Sequence, residues 1–209
     1  MTKRESVVWE QMKELLIKAV GTEKGVEYLD AAKQKGSEWF AKTKETSPTR
    51  LKTMQETIIP RIAVYAVLKE NGKDADAILD DYVRNTAGPM MHNTYARAEK
   101  IPGFWAIFKT AFIRITEKSD RWECESRKEK ERFFLDIHKC LWYDTCVECG
   151  YPEACRFFCD CDNYTYGDLK KIGFIRTQTL GTGGEKCDFL MLISPRPWAF
   201  GRSYQCFLH

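Results

Sequence analysis

The 209-residue chain has no hydrophobic run long enough to span a bilayer. Its longest apolar stretch, Ile58-Ile59-Pro60-Arg61-Ile62-Ala63-Val64-Tyr65-Ala66-Val67-Leu68, is too short and carries Arg61. The opening residues, Met1 to Glu5, are not followed by the apolar segment and small-residue cleavage site of an export signal. They do not read as a lipidation signal either. These absences argue against a membrane partner and for a cytoplasmic protein. Charge of one sign is also missing as a block. The net charge of +3 comes from residues 1–120, with 20 Lys+Arg against 17 Asp+Glu, and the remainder balances at 13 against 13, so neither half offers a charge block for a nucleic-acid partner. No internal repeat or low-complexity linker divides the chain, and its length suits one domain, residues 1–209, better than two.

Cysteine is absent from the first 123 residues and then abundant. Nine follow: Cys124, Cys140, Cys146, Cys149, Cys155, Cys159, Cys161, Cys187 and Cys206. A secreted disulfide scaffold would be smaller and would carry an export signal. In a reducing compartment the cluster points to thiolate chemistry or to a metal. The competing use of each cysteine is as a small buried apolar side chain.

The apolar pattern changes in the same place. Residues 1–118 read as helices. Val8, Met12, Leu15 and Ala19 mark one face, and Leu29, Ala32, Gly36, Trp39 and Phe40 mark another after an N-cap at Thr22. Ser47-Pro48 reads as N-cap and first helical residue. The helix it opens carries Pro60, which should bend or break it. A fourth helix starts near Asp74, and Gly88-Pro89 interrupts. The aromatic run Phe104 to Ile113 predicts a helix buried on more than one side. After Asp120 the period shortens. Trp122-Glu123-Cys124-Glu125 and Phe134 to His138 read as strands joined across the charged run Ser126 to Glu131. Two short helical pieces flank Gly150-Tyr151-Pro152. Strands over Phe174–Leu180 and Cys187–Ile193 follow, the second ended by Pro195 and Pro197. The tail holds Trp198, Phe200, Tyr204 and Phe207, too aromatic to stand free in solvent. The fold class is α+β: a helical N-terminal part (1–118) packed on a small, mainly antiparallel, Cys-rich sheet (119–209).

Three motifs compete for the chemistry. Gly181-Thr182-Gly183-Gly184 lacks the span and terminal Lys-Ser/Thr of a phosphate-binding loop, and it joins two strands. It reads as a tight hairpin turn, or as backbone N–H groups that hold a carboxylate. Cys146-Val147-Glu148-Cys149 is a lone CxxC, open to zinc, redox or packing. The third is a constellation: His138 and Cys140 at the end of a strand, Cys159 and Asp162 at the end of a helical piece, Cys187 and Asp188 at the start of the last strand. Cysteine, histidine and carboxylate together can hold a metal that activates water, or supply a thiolate with a base beside it.

The segment Cys140 … Cys159-Asp160-Cys161-Asp162 … Thr179-Leu180-Gly181-Thr182-Gly183 … Cys187-Asp188-Phe189 resembles the signature of the L-2-amino-thiazoline-4-carboxylic acid hydrolase family. That pattern is a cysteine after a strand, then Cys-x-x-Asp, then Thr-Leu-x-x-Gly, with Cys-Asp-Phe closing. Ile59-Pro60-Arg61-Ile62-Ala63-Val64-Tyr65 and Pro102-Gly103-Phe104 are similar to the family's helical half, so the resemblance covers most of residues 50–193. More distantly, the end of the chain is similar to vinyl-reductase-like small-molecule-binding domains and transport-particle subunits. The resemblance implies a small-molecule substrate and hydrolysis of the cyclic amidine-like C=N of a thiazoline ring, giving an N-carbamoyl cysteine. It implies that Cys159, Cys187 and Cys140 form a reactive core or ligate a divalent metal such as zinc. Asp162 and Asp188 become acid or base, His138 a proton relay, and Arg176, with Thr179, an anchor for the substrate carboxylate. Cys146, Cys149, Cys155 and Cys161 lie outside the matched pattern. The alternative class is a non-catalytic sensor or carrier of a small molecule or metal, motivated by the aromatic helix from Phe104 to Phe112.

Overall fold

The computed structural model describes residues 2–194. The expectations for Pro195, Pro197, the aromatic tail and Cys206 lie outside the described residues.

The helical half begins with α1 (Lys3–Val20), opened by a capping box in which Thr2 and Glu5 satisfy each other's backbone N–H. Only Gly21, at φ 87°, separates it from α2 (Thr22–Lys42), so Thr22 starts the helix instead of capping it. Ser47 caps α3 (Pro48–Thr53) as its Ser-Pro pair predicts. Pro60 does not break the chain's helical course. A π turn over Met54–Ile58 precedes it, closed by the Ile59 N–H donating to the Met54 carbonyl, and α4 (Ile59–Glu70) continues beyond. The wider turn accommodates a residue that has no N–H and whose ring crowds the preceding turn. The same device recurs after α5 (Ala75–Tyr82), which Asp74 caps. A π turn over Val83–Ala87 leads into α6 (Gly88–Ala98), and Pro89 marks a widened turn where an interruption is expected. Helix α7 (Phe104–Glu117) completes this half. It buries one face, Phe104, Phe108, Ile113 and Thr116, and leaves Ile107 and Ile115 exposed, so it is not enclosed on several sides.

The sheet has order β1-β2-β4-β3, antiparallel throughout. Strands β1 (Trp122–Lys128) and β2 (Arg132–Cys140) form a hairpin. Its connection is shorter than the charged run, because Arg127 pairs opposite Phe134 and holds its guanidinium 3.9 Å from that ring. Helices α8 (Leu141–Glu148) and α9 (Cys155–Tyr166) then cross back over the sheet before β3 (Ile172–Ile175) and β4 (Cys187–Ile193). The third strand is thus four residues long and ends before Arg176. The Asp188 carboxylate accepts from the backbone N–H groups of Thr177 (2.9 Å) and Gln178 (2.8 Å), which takes that segment out of the ladder.

Two apolar cores result. The helical core centres on α4, buried all round from Ile62 to Leu68. Cys146, Cys149, Cys155 and Phe157 belong to it. The sheet core stacks Phe104, Phe108 and Phe112 of α7 with Phe133, Tyr166, Phe174 and Phe189, ring centroids 5.4–6.4 Å apart. Each such aromatic pair contributes about 1 kcal/mol beyond the area it buries. Helix α9 joins the two cores: Cys155 and Phe157 enter one, Tyr166 the other. Its middle, Cys159 to Asp162, lies between them. Helix α6 crosses it closely at Gly88, where a Cβ would fall 2.3 Å from the Cβ of Tyr164. That crossing fixes the height of α9 above the sheet.

Candidate active site

Cys159 and Asp162 are three residues apart in the middle of α9 and share a face, not at its end as the sequence reading has it. Cys187 opens β4 with its side chain on the helix-facing side, together with Phe189 and Met191. Cys140 ends β2 at the start of α8. All three thiols line one cavity of about 800 Å³, with Asp162 and Arg176. Residues far apart in the chain therefore meet at a single pocket.

The thiols are unequal. Cys155, one turn before Cys159 on α9, and Cys187 from the sheet hydrogen-bond to Cys159, against the cost of its burial. Thr179 and the positive charge of Arg176 add to them, and together they hold the Cys159 thiol well below the ordinary range. Thr179 is held in the turn by Thr182: its Oγ1 accepts from the Thr182 N–H at 3.1 Å and lies 2.9 Å from the Thr182 hydroxyl. The partners move the other way. Cys155 is driven upward by hydrogen bonding to Cys146 and Cys159 and by burial, and Cys187 by its bond to Cys159 and by burial. Burial pushes Cys140 up to about 12. Within this cluster the negative charge is favoured at Cys159 and disfavoured at Cys155, Cys187 and Cys140.

Gly181 makes this assembly possible. A Cβ there would sit 3.0 Å from the Cys159 sulfur and 3.1 Å from the Cys155 sulfur. The 3₁₀ turn Leu180–Thr182 presses its backbone onto α9, and the Leu180 N–H donates to the Cys187 sulfur at 3.3 Å. The Gly-rich segment thus joins β3 to β4 by wrapping round the thiols, more than a tight hairpin would require.

Arg176 lies just past β3 with its side chain only 5% exposed. Its Nη1 donates to Asp162 Oδ2 at 2.9 Å, and its Nη2 donates to the Cys159 carbonyl at 2.8 Å and to Asn163 Oδ1 at 3.3 Å. The guanidinium also packs beside the Phe174 and Phe189 rings. Removal from solvent pushes the Asp162 carboxyl up to about 7. Arg176 opposes that rise and the Cys159 charge adds to it.

Other expected members fall elsewhere. His138 is exposed on β2, one residue beyond the inward-facing Ile137, and does not line the cavity. Asp188 sits on the outer face of the sheet opposite Asp136, its carboxylate committed to Thr177 and Gln178. Strand alternation separates it from its neighbour Cys187. Thr179 is buried against Cys159 and does not line the open cavity. The CxxC pair is core: Cys146 is fully buried, and Cys149 is pushed by burial up to about 12. Among the described residues no group of three or more His, Cys, Asp or Glu is arranged to hold a metal ion, and no disulfide forms.

The sequence reading missed Cys155, Gly181 and Arg61. The first is signalled by its i, i+4 spacing from Cys159. The second offers no signal beyond being a glycine. Arg61 of α4 lines the cavity; its Nη1 donates to the Thr57 carbonyl, and it makes no ion pair among the described residues.

Fold and site define an α+β protein whose layers enclose a pocket lined by Cys140, Cys159, Cys161 and Cys187 with Asp162 and Arg176. The chain belongs to the L-2-amino-thiazoline-4-carboxylic acid hydrolase family, whose model matches residues 50–191. That span contains Arg61, Cys140, Cys159, Asp162, Arg176 and Cys187. No curated protein and no solved structure matches the chain. Among the described residues no helix is long and apolar enough to cross a membrane.

Proposed function

We propose that the chain hydrolyses the cyclic amidine of a 2-amino-thiazoline-4-carboxylate or a closely related ring, with Cys159 as nucleophile and Asp162 as general acid and base. The observation that carries this is the Cys159 sulfur, set among the donors Cys155, Cys187 and Thr179 and opening onto the cavity that Asp162 also lines. The Cys159 thiolate attacks the ring carbon between sulfur and nitrogen. The ring C–S bond then breaks, and the departing sulfur takes the proton of Asp162. This leaves an isothiourea linked to Cys159. Water, deprotonated by the Asp162 carboxylate, adds to that carbon, and the C–S bond to Cys159 breaks. The thiolate is regenerated and an N-carbamoyl cysteine is released.

Arg176 acts here as a positioning residue. Its hydrogen bonds to Asp162, Asn163 and the Cys159 carbonyl orient the acid and place a positive charge beside the thiolate. The substrate carboxylate is assigned to Arg61, which has no carboxylate partner among the described residues.

Ring opening followed by mass spectrometry tests the reading. Cys159→Ser should reduce turnover to background, and Cys124→Ser, on the edge strand, should leave it intact. Unchanged turnover in Cys159→Ser would falsify the assignment. A carrier role is favoured by one observation, the size of the cavity. It predicts a ligand retained through purification and no ring opening.

A further inference from the structure

We infer that the molecule this pocket takes is an amphiphile: a polar thiazoline-type head at the thiols, joined to an apolar arm that lies against α1, α6 and α7. The inference rests on the hydrolase reading for its head group and goes beyond it for the rest. About 800 Å³ is the size of a pocket for a drug-sized ligand. An unsubstituted thiazoline carboxylate, one small ring with two substituents, would leave most of that space unfilled. The lining is also divided by chemistry. Cys159, Cys187, Asp162, Arg176 and Arg61 supply the polar groups of the inner part, and Arg4, Gln11 and Thr94 are polar exceptions in the outer wall. The remaining wall is chiefly aliphatic and aromatic; α1, α6 and α7 supply its outer part, and α4, α5, α9 and the sheet supply the rest.

The rim identifies where the arm would lie. Val7 of α1, Met90 and Met91 of α6, and Ile107 and Ile115 of α7 all line the cavity, and each is more than 40% exposed. Large apolar side chains left in water around a concave opening mark a surface that gains from being covered. The two methionines give the wall an adaptable, polarizable surface suited to a flexible chain. Continuity with the buried thiols favours a small molecule over a second copy of the chain, because a protein surface resting on the rim would leave the interior empty.

The test is a calorimetric titration of the full chain, carrying Cys159→Ser to prevent turnover, with 2-alkyl-thiazoline-4-carboxylates from methyl to octyl. Affinity should rise by up to about fourfold per methylene until the arm fills the cavity. Ala111→Trp, which places an indole into the α7 wall, should abolish the gain and leave the methyl homologue's binding unchanged. A flat series in which the methyl compound binds and the unmodified protein opens its ring overturns this inference alone and spares the hydrolase reading. A rising series with no ring opening by the unmodified protein supports the inference and rejects the hydrolase reading. Failure of every homologue to bind overturns the inference. So does a flat series accompanied by a native dimer that Ile115→Glu dissociates, an outcome that assigns the rim to a second copy.

Discussion

The two layers behind and in front of α9 use the same side chain in opposite ways. Behind it, Cys146 and Cys149 sit among Leu141, Ala154 and Phe157 in the helical core, where a thiol is a small apolar filler. In front, Cys159 opens onto the cavity with three donors and an arginine around its sulfur. Cys155 stands at the boundary: its side chain is buried with the first group, yet its thiol hydrogen-bonds to Cys159. Burial alone raises a thiol, and burial with directed donors lowers one. What separates Cys159 from the packing cysteines is therefore the partner set, more than depth.

The largest effect expected from that contrast is chemical. In the folded protein at neutral pH, iodoacetamide should label Cys159 first, while Cys146 and Cys149 react only after denaturation. Peptide mass mapping over time reads the order. Labelling of the CxxC pair at the rate of Cys159 would erase the distinction between the layers.

Next in size is Asp162→Asn. Loss of a positioned acid and base typically costs a factor of about 10²–10⁴. The pH profile adds a signature. Turnover needs Cys159 ionised and Asp162 protonated, so the rate should fall as pH rises through about 7, and the Asn variant should lack that limb. Stability follows the same group. Its folded value, about 7, lies above the ordinary carboxylate value of 3.8, so between the two the folded chain retains a proton that the unfolded chain has released. The stabilisation from that proton is fully present below about pH 4 and is lost as pH rises through about 7. Denaturation midpoints of the Asn variant should be flatter over this window.

A smaller, structural effect is expected at Gly181. Alanine there meets two sulfurs at about 3 Å. The turn or the helix must shift, at about 1–3 kcal/mol. Because the displaced atoms are Cys155 and Cys159, activity should fall by more than the loss of folded protein explains. Thermal melts and turnover measured on the same sample separate the two.

Legibility in the sequence follows the range of the interaction concerned. Local signals read well: Ser47-Pro48, Asp74 and the looser alternation in Phe134 to His138 depend on neighbours in the chain. In the motif Cys-x-x-Asp, three residues on a helix fix a shared face, although the pair lies in the middle of α9 and not at its end. What did not read depends on contacts made across the fold. Pro60 and Pro89 look like breakers until the π turns before them are seen. Phe174 to Leu180 has a strand's composition. Asp188, on the neighbouring strand, nevertheless takes its N–H groups and turns Arg176 towards α9. The sequence places Asp188 beside Cys187, but a strand sends adjacent side chains to opposite faces. The choice between them needed the sheet.

His138 gives the smallest predicted effect and the sharpest check on that last point. It stands two residues from Cys140 in the chain and belongs to the expected set. In the fold, however, it follows Ile137, which points into the sheet core, and is itself exposed on β2 away from the cavity. His138→Ala should therefore leave turnover, its pH profile and the melting temperature within the small range expected of an exposed substitution, about ±0.5 kcal/mol. A tenfold loss of turnover with an unchanged melting temperature would put a working group on the outer face of the sheet. The division between the two sides of α9 would then no longer account for where the chemistry sits.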